Sequence, residues 1–442
     1  VPDSEVGLLF SGGVDSTMVA TALQELGKDF TCYTAGIQHG NVNAPRDSEW
    51  AVKIAEKMDL ELKNYEATLT EVEKTLPQLA EWISTTSTVK LGVALPFHFA
   101  LKGNSSENEK VVMSGLGSEQ LYAGYHRQQG YLNKECLSGL RQIYENDLYR
   151  DDVVSMRNGY ELRVPFLDHD LIEHALTIDE RFKVKDDYRK YVLRKAAEKL
   201  GVPEEVAWRK KTAAQYGSNF DKAISRLAKD NGFDHKQEYL NQFRDSPNRK
   251  LAALTSSGKD SNAALYRMQR RNNSIECLVN LQSTNKDSYM FDTEFAGVEE
   301  QAEMLDIPLI IEETAGEKEK ELKDLENAIR KAQEKFSIDG VVAGAIASTY
   351  QRDRVEKVCE NLGLKVFTPL WQENQQNYMR WLVREGFKIE IVDVAARGLD
   401  ETWIGRTIDE ESVEELIELS EEYGFHAAGE GGEFETRVVG FP

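Results

Sequence analysis

Two stretches of the chain share one pattern of apolar and polar positions. Residues 6–10, VGLLF, form a short unbroken apolar run; the small polar loop SGGVDS follows, and then Met18, Val19, Ala22 and Leu23 recur at helical spacing. Residues 251–254, LAAL, are apolar in the same way, ahead of SSGKDS and of Ala263, Ala264, Tyr266 and Met268. Both stretches read as strand, tight loop, helix.

The parallel continues downstream. After the first unit come an extended run at 30–34, a helix with Ala51, Ile54, Ala55 and Met58 on one face, and a third extended run. After the second come an extended run at 276–281, a helix carrying Val298, Ala302 and Leu305, and then IPLIIEE. Strands that alternate with helices predict an α/β fold with a doubly wound parallel sheet in each half. The repeat interval is a whole domain, not a solenoid unit. The segment 229–250 is polar and nearly free of apolar periodicity, so the boundary is placed near 240, giving domains 1–240 and 241–442. A stripe of Leu322, Leu325, Ile329, Ala332 and Phe336 marks a further helix whose apolar side packs on a core.

At 442 residues the chain is too long for one typical domain. No segment reaches the roughly 18 apolar residues of a membrane span. The first ten residues lack the pattern of a signal peptide, and a start without Met reads as a trimmed or incomplete N-terminus. Cys32, Cys136, Cys277 and Cys359 lie far apart with no CxxC pair, which fits buried, reduced thiols in the cytoplasm. With 54 basic against 76 acidic residues the net charge is -22, which disfavours direct nucleic-acid binding.

A loop of small residues between a parallel strand and a helix N-terminus lets backbone amides approach an anion. The spacing fits neither GxxxxGK[ST] nor GxGxxG. The form SGGxDS resembles the pyrophosphate loop of the N-type ATP pyrophosphatases, of the adenine nucleotide alpha hydrolase-like kind. That resemblance implies cleavage of ATP between the α and β phosphates. Ser11, Gly12, Gly13 and Ser16 in the first copy, and Ser256, Ser257, Gly258 and Ser261 in the second, are then the phosphate-binding residues. Asp15 and Asp260 are the candidate Mg²⁺ ligands, and Lys259 adds a positive charge. Ser257 stands where the pattern usually has glycine.

Three further blocks, VVMSGLGSEQLYAGYHR (111–127), SMRNGYELRVPFLDHDLIEHA (155–175) and KYVLRKAAEKLGVPEEVAWRKK (190–211), resemble the synthetase domain of asparagine synthetases, in that family's order. The resemblance implies adenylation of a carboxylate and attack by ammonia. It places Gly115, Gly117 and Glu119 beside pyrophosphate and metal, and Lys211 at the reacting phosphate. Arg163, Asp168 and Glu173 are read as a buried ion-pair network behind the site. Two features depart from the family. No glutaminase domain precedes the loop, so ammonia arrives free or from a partner, and Leu116 stands where the family has its proton-accepting Glu.

The remainder resembles the diphthine-ammonia ligases through LTSSGKDSNAALYRM (254–268), SYMFD (288–292), residues 340–371 and the closing GEGGEFETRVV (429–439). That resemblance implies ATP-dependent amidation, by ammonium, of a modified histidine on translation elongation factor 2 in its diphthine form. It assigns Gly344, Ser348, Gln351 and Arg352 to the nucleotide and pyrophosphate side, with Arg352 neutralising charge. Glu430, Glu433, Glu435, Thr436 and Tyr289 face the substrate, with Glu433 and Glu435 as catalytic carboxylates. Trp371 is read as a core aromatic, and Asp292 stands where the family often has His. The first half remains open between a second amide ligase for a small carboxylate and a silent copy used for docking or regulation. Modification of tRNA is the third alternative, against which stand the absence of a cysteine pair and of a basic face.

Overall fold

The structure, a computed structural model, describes residues 5–37, 46–102, 104, 109–209, 217–283, 297–315 and 321–442. The chain forms two compact units, Val1–Ser246 and Pro247–Pro442, which part six positions beyond the polar segment's expected boundary.

In the first unit the strands Val6–Leu9 (β1), Phe30–Ile37 (β2), Leu62–Ala67 (β3), Val111–Met113 (β4) and Glu161–Arg163 (β5) form one sheet in the order β3-β2-β1-β4-β5. Every pairing is parallel. A two-stranded ribbon of Val184–Lys185 (β6) and Tyr188–Arg189 (β7) follows.

The second unit repeats the plan with Lys250–Leu254 (β8), Ser274–Ser283 (β9), Leu309–Thr314 (β10), Gly340–Val342 (β11) and Lys365–Phe367 (β12), in the order β10-β9-β8-β11-β12 and again all parallel. It then adds an antiparallel pair, Lys388–Val394 (β13) and Phe434–Gly440 (β14).

The unbroken apolar runs are explained by helices on both faces of each sheet. Along β8, Leu251 and Ala253 enter one core cluster, while Ala252 and Leu254 enter the cluster on the opposite face. In β1, Val6 and Leu8 belong to a core that Leu23, Ile54 and Ala55 complete from the helices Val14–Glu25 and Arg46–Lys57. Leu325, Ile329 and Ala332 of the helix Glu321–Phe336 are buried, as their spacing predicts. All four cysteines are free and buried. Burial pushes the thiols of Cys32, Cys277 and Cys359 up to about 12, so they stay protonated and inert. Among the described residues no helix is long and apolar enough to cross a membrane.

Candidate active sites at the two repeated loops

Each repeated loop leaves the carboxyl end of the central strand, β1 or β8, beside the point where strand order reverses. There it shares a crevice with the loop after β4 or β11, the usual ligand position in an open α/β sheet. One glycine in each half makes the approach possible. A Cβ on Gly115 would lie 2.7 Å from Asp15 Cβ, and one on Gly344 would lie 2.7 Å from the Asp260 carbonyl carbon and the Ser261 nitrogen.

In the second half, Ser257 is left-handed at φ 64, matching Gly12 at φ 65 in the first loop. For a residue with a Cβ this costs about 1–2 kcal/mol, so the surroundings must enforce it. They do so through the Ser257 carbonyl, which accepts from Gln301 Nε2 at 2.8 Å and from the Val438 amide of β14 at 3.1 Å. Gln301, 1% exposed, also donates to the Val438 carbonyl at 2.7 Å and accepts from Asn262 Nδ2 at 3.0 Å. Ser261 Oγ donates to the Gly258 carbonyl and accepts from the Ser256 amide, while Thr436 Oγ1 accepts from the Lys259 amide at 3.2 Å. The buried Ser257 Oγ has no hydrogen-bond partner among the described residues.

Asp260 is held at both oxygens. Its Oδ2 accepts from the buried Lys259 Nζ at 3.1 Å, and its Oδ1 accepts from Tyr378 OH at 2.7 Å. Burial raises the Tyr378 pKa well above the usual phenol value and the Asp260 charge adds to it, so the phenol remains a donor.

Glu430 makes a second enclosure. Its Oε1 accepts from three successive amides, those of Ile346, Ala347 and Ser348, at 3.1, 2.9 and 2.9 Å. These amides open the helix Thr349–Asn361, whose N-cap Ser348 accepts from the Gln351 amide at 3.3 Å. Converging amides and the helix dipole both favour negative charge here. Glu430 thereby ties the glycine-rich turn before β14 to the loop after β11.

In the first half, Gly13 caps the helix Val14–Glu25, and Ser11 and Ser16 bond within the loop. Trp50 Nε1 donates to the Gly12 carbonyl at 2.8 Å, and a Cβ on Gly12 would lie 2.8 Å from Trp50 Cδ1. Gly117, at φ 103, sits against Leu167 and caps the four-residue helix Ser118–Leu121 that carries Glu119. Asp15 and Glu119 converge on one cation, but that cation belongs to the chain. Lys190 Nζ lies 2.8 Å from Asp15 Oδ2 and 2.6 Å from Glu119 Oε1. Burial opposes the charge of Lys190, yet the two carboxylates outweigh it and hold the pKa above the ordinary lysine value.

The two loops thus gather most of the residues read from sequence, with several differences. Arg352 is buried among its own helix neighbours, Asp353 at 3.1 Å and Glu356 at 3.5 Å, and its guanidinium stacks on Trp371 at 4.0 Å. Trp371 is half-buried and lies outside the core clusters, which corrects its reading as a core aromatic. Glu433 turns back on its own bend, accepting from the amides of His426 at 3.0 Å and Gly431 at 2.7 Å. Glu435 is exposed, on the face of β14 opposite Phe434 and Thr436, because strand side chains alternate. The two carboxylates thus face different surroundings, although Glu433 acts on His426 together with Lys259 and Asp260 of the loop.

Arg163, Asp168 and Glu173 form no buried network. Arg163 pairs with Glu161, both side chains 56% exposed, on an edge strand where only Leu162 faces inward. Asp168 caps the helix His169–Thr177, and Glu173 is exposed. Lys211, Tyr289 and Asp292 lie outside the described residues. Lys190, Trp50, Gln301 and Tyr378 were not singled out from sequence. Lys190 opens a block that carries the family resemblance, whereas the other three sit in stretches without a motif.

A Mg²⁺ ion fits the second loop in a limited sense. Among the described residues no group of three or more His, Cys, Asp or Glu side chains could hold a metal alone. A lone carboxylate, Asp260, suits an ion held largely by phosphate oxygens and water.

Two tandem units with matching loops at matching switch points define a doubled, doubly wound parallel α/β architecture. The Asparagine synthase family matches residues 1–135 and 126–278, the Diphthamide synthase N-terminal domain matches 249–366, and the Diphthamide synthase C-terminal domain matches 374–442. The chain therefore belongs to the asparagine synthase family through its first half and to the diphthine–ammonia ligases, ligases that form C–N bonds, through its second. It is 36% identical over 213 residues to the diphthine–ammonia ligase of Rattus norvegicus, covering 44% of this chain and 79% of that one. The Schizosaccharomyces pombe diphthine–ammonia ligase is 33% identical over 210 residues, covering 44% and 34%. A putative glutamine-hydrolyzing asparagine synthetase of Methanocaldococcus jannaschii is 31% identical over 289 residues, 56% of this chain. The match spans about half of that relative, 52%.

Proposed function

We propose that the second half catalyses the ATP-dependent amidation that completes diphthamide on translation elongation factor 2. A carboxylate oxygen of the diphthine side chain attacks the α phosphorus, pyrophosphate leaves, and the acyl-adenylate forms. Ammonia then attacks the acyl carbon, the added nitrogen gives up one proton, and AMP departs to leave the amide. What supports this reading above all is that groups from both diphthamide-synthase segments close one phosphate loop, Asp260 from the first and Tyr378 and Thr436 from the second.

In that reaction the amides around 256–261 bind phosphate, and Lys259 and Asp260 set the charge at the loop. Gly344 keeps the neighbouring loop close enough to exclude water. Bound Mg²⁺ would neutralise phosphate charge, with Asp260 as its protein ligand. Arg352, stacked on Trp371, acts as a fixed positive wall behind the loop rather than as a mobile finger. The protein works in the cytoplasm, where its thiols stay reduced.

The first half takes nucleotide, and a specific observation favours its silent reading. Lys190 fills the place between Asp15 and Glu119, and half-buried Leu116 offers no proton acceptor. The alternative is a ligase for a small carboxylate.

The test supplies purified protein with ATP, Mg²⁺ and ammonium, with and without diphthine-bearing elongation factor 2. AMP release and amide mass are the readouts. Factor-dependent AMP release with amide formation supports the proposal; folded, ATP-binding protein that forms no amide overturns it.

A further inference from the structure

Asp260 lies in the segment matched as the diphthamide synthase N-terminal domain, yet one of its carboxylate oxygens is fixed from the C-terminal segment. Tyr378 sits on the helix Gln375–Glu385, which Asn374 caps by accepting from the Asn377 amide at 2.9 Å. Its ring is fully buried in the core that also holds Met379, Leu382 and Phe387. The ring lies nearly parallel to Trp381, with centroids 6.2 Å apart. A ring so enclosed has no rotamer freedom, so the hydroxyl meets Asp260 Oδ1 in one geometry, 2.7 Å away.

The other oxygen, Oδ2, is shared with Lys259 at 3.1 Å. A carboxylate fastened at one oxygen only could swing between the loop and the core. Fastened by a rigid phenol at Oδ1, it keeps Oδ2 directed to the side of Lys259, where the loop offers its phosphate-binding amides.

We propose that Tyr378 is the positioning residue of the second half's ATP site, acting on the cation and triphosphate through Asp260. The proposal rests on the reading of this loop as an ATP site. Partners that orient a ligating carboxylate are worth roughly 10–100-fold in metal affinity or activity when removed. Tyr378→Phe removes only the hydroxyl and keeps the ring.

Mn²⁺, followed by its electron paramagnetic resonance signal, is titrated into the full-length protein with ATP present and no acceptor. Tyr378→Phe is expected to weaken Mn²⁺ binding by about 10-fold or more. Tyr266→Phe removes a hydroxyl that lies 3.1 Å from Glu385 in the same aromatic cluster, and it is expected to leave Mn²⁺ binding unchanged.

In an Asp260→Asn background the Tyr378 substitution should add nothing, because both act on one group. Should Phe at 378 weaken the fold, 3-fluorotyrosine at this position keeps the ring and makes the phenol a stronger donor to Asp260; Mn²⁺ affinity then departs from wild type, whereas an unchanged affinity would show a phenol that only packs and would overturn the proposal. Mn²⁺ affinities equal to wild type in Tyr378→Phe, or equal additional losses with Asp260→Asn, overturn the proposal. Weakened Mn²⁺ binding in a protein that never amidates elongation factor 2 would keep this inference and remove only the substrate reading.

Discussion

Lys190 Nζ and Asp15 Oδ2 meet at 2.8 Å although they are 175 positions apart in the chain. In the second half the loop's own Lys259 does the same for Asp260, from the adjacent position. Both loops thus neutralise their aspartate with an amine, but the first borrows it from a left-handed residue at the start of a later helix. That amine also holds Glu119, so it pins the loop after β4 to the loop after β1.

Lys190→Met is therefore expected to leave a buried carboxylate, Glu119, facing the half-buried Asp15, at a cost of up to about 3 kcal/mol. Urea unfolding of the full chain should show an early transition from the first half. Adding Asp15→Asn should recover a large part of the loss. A double variant no more stable than Lys190→Met would mean that the lysine acts by packing instead of charge.

The two aspartates should separate the roles of the halves. Asp260→Ala is expected to abolish amidation of the elongation factor, while Asp15→Ala preserves it, as read by peptide mass spectrometry. Equal loss from both, with folding intact, would make the halves one catalytic unit.

Gly344 faces the backbone of Asp260 and Ser261, where a Cβ would come within 2.7 Å. Neither backbone atom can give way as a flexible side chain would, so Gly344→Ala should push the loops apart. ATP affinity by calorimetry is expected to fall about 10-fold, near 1.4 kcal/mol. An affinity equal to wild type would show that the crevice is wider in solution.

His98 supplies a pH dependence in the first half. Burial, with a smaller contribution from Lys102, lowers its pKa from 6.5 to about 4, and its Nδ1 lies 3.2 Å from Asn158 Nδ2. The folded protein holds His98 neutral while the unfolded chain protonates near its ordinary value. Its contribution to stability is therefore complete above pH 6.5 and is lost as pH falls towards 4. The loss is on the order of 3 kcal/mol. His98→Gln should flatten the decline of the unfolding midpoint between those limits; an identical slope would assign it to carboxylates.

Much of the architecture was legible along the chain because its causes are local and periodic. Apolar runs bounded by small-residue loops marked β1 and β8, and the alternation with helices implied the parallel sheets that both halves form. Family resemblance marked Gly344 and Gly115, whereas their reason, contact with the other loop, is visible only in three dimensions. Glu433 and Glu435 show what a motif leaves open. They share one acidic stretch, but a bend turns one back on its own amides and strand alternation sends the other outward.

The sequence by itself determined two α/β halves, a phosphate-type loop in each, and the families to which those loops belong. These follow from short-range spacing, which the chain carries wherever it folds. Only the tertiary structure decided which groups hold each aspartate, that Glu430 lies in the amides of 346–348, and that Arg163 stands in solvent. Those outcomes depend on strand order and helix docking. The contacts that reach Asp15, Asp260 and Glu430 from Lys190, Tyr378 and the 346–348 amides join positions 82 to 175 residues apart and leave no periodic trace in the chain.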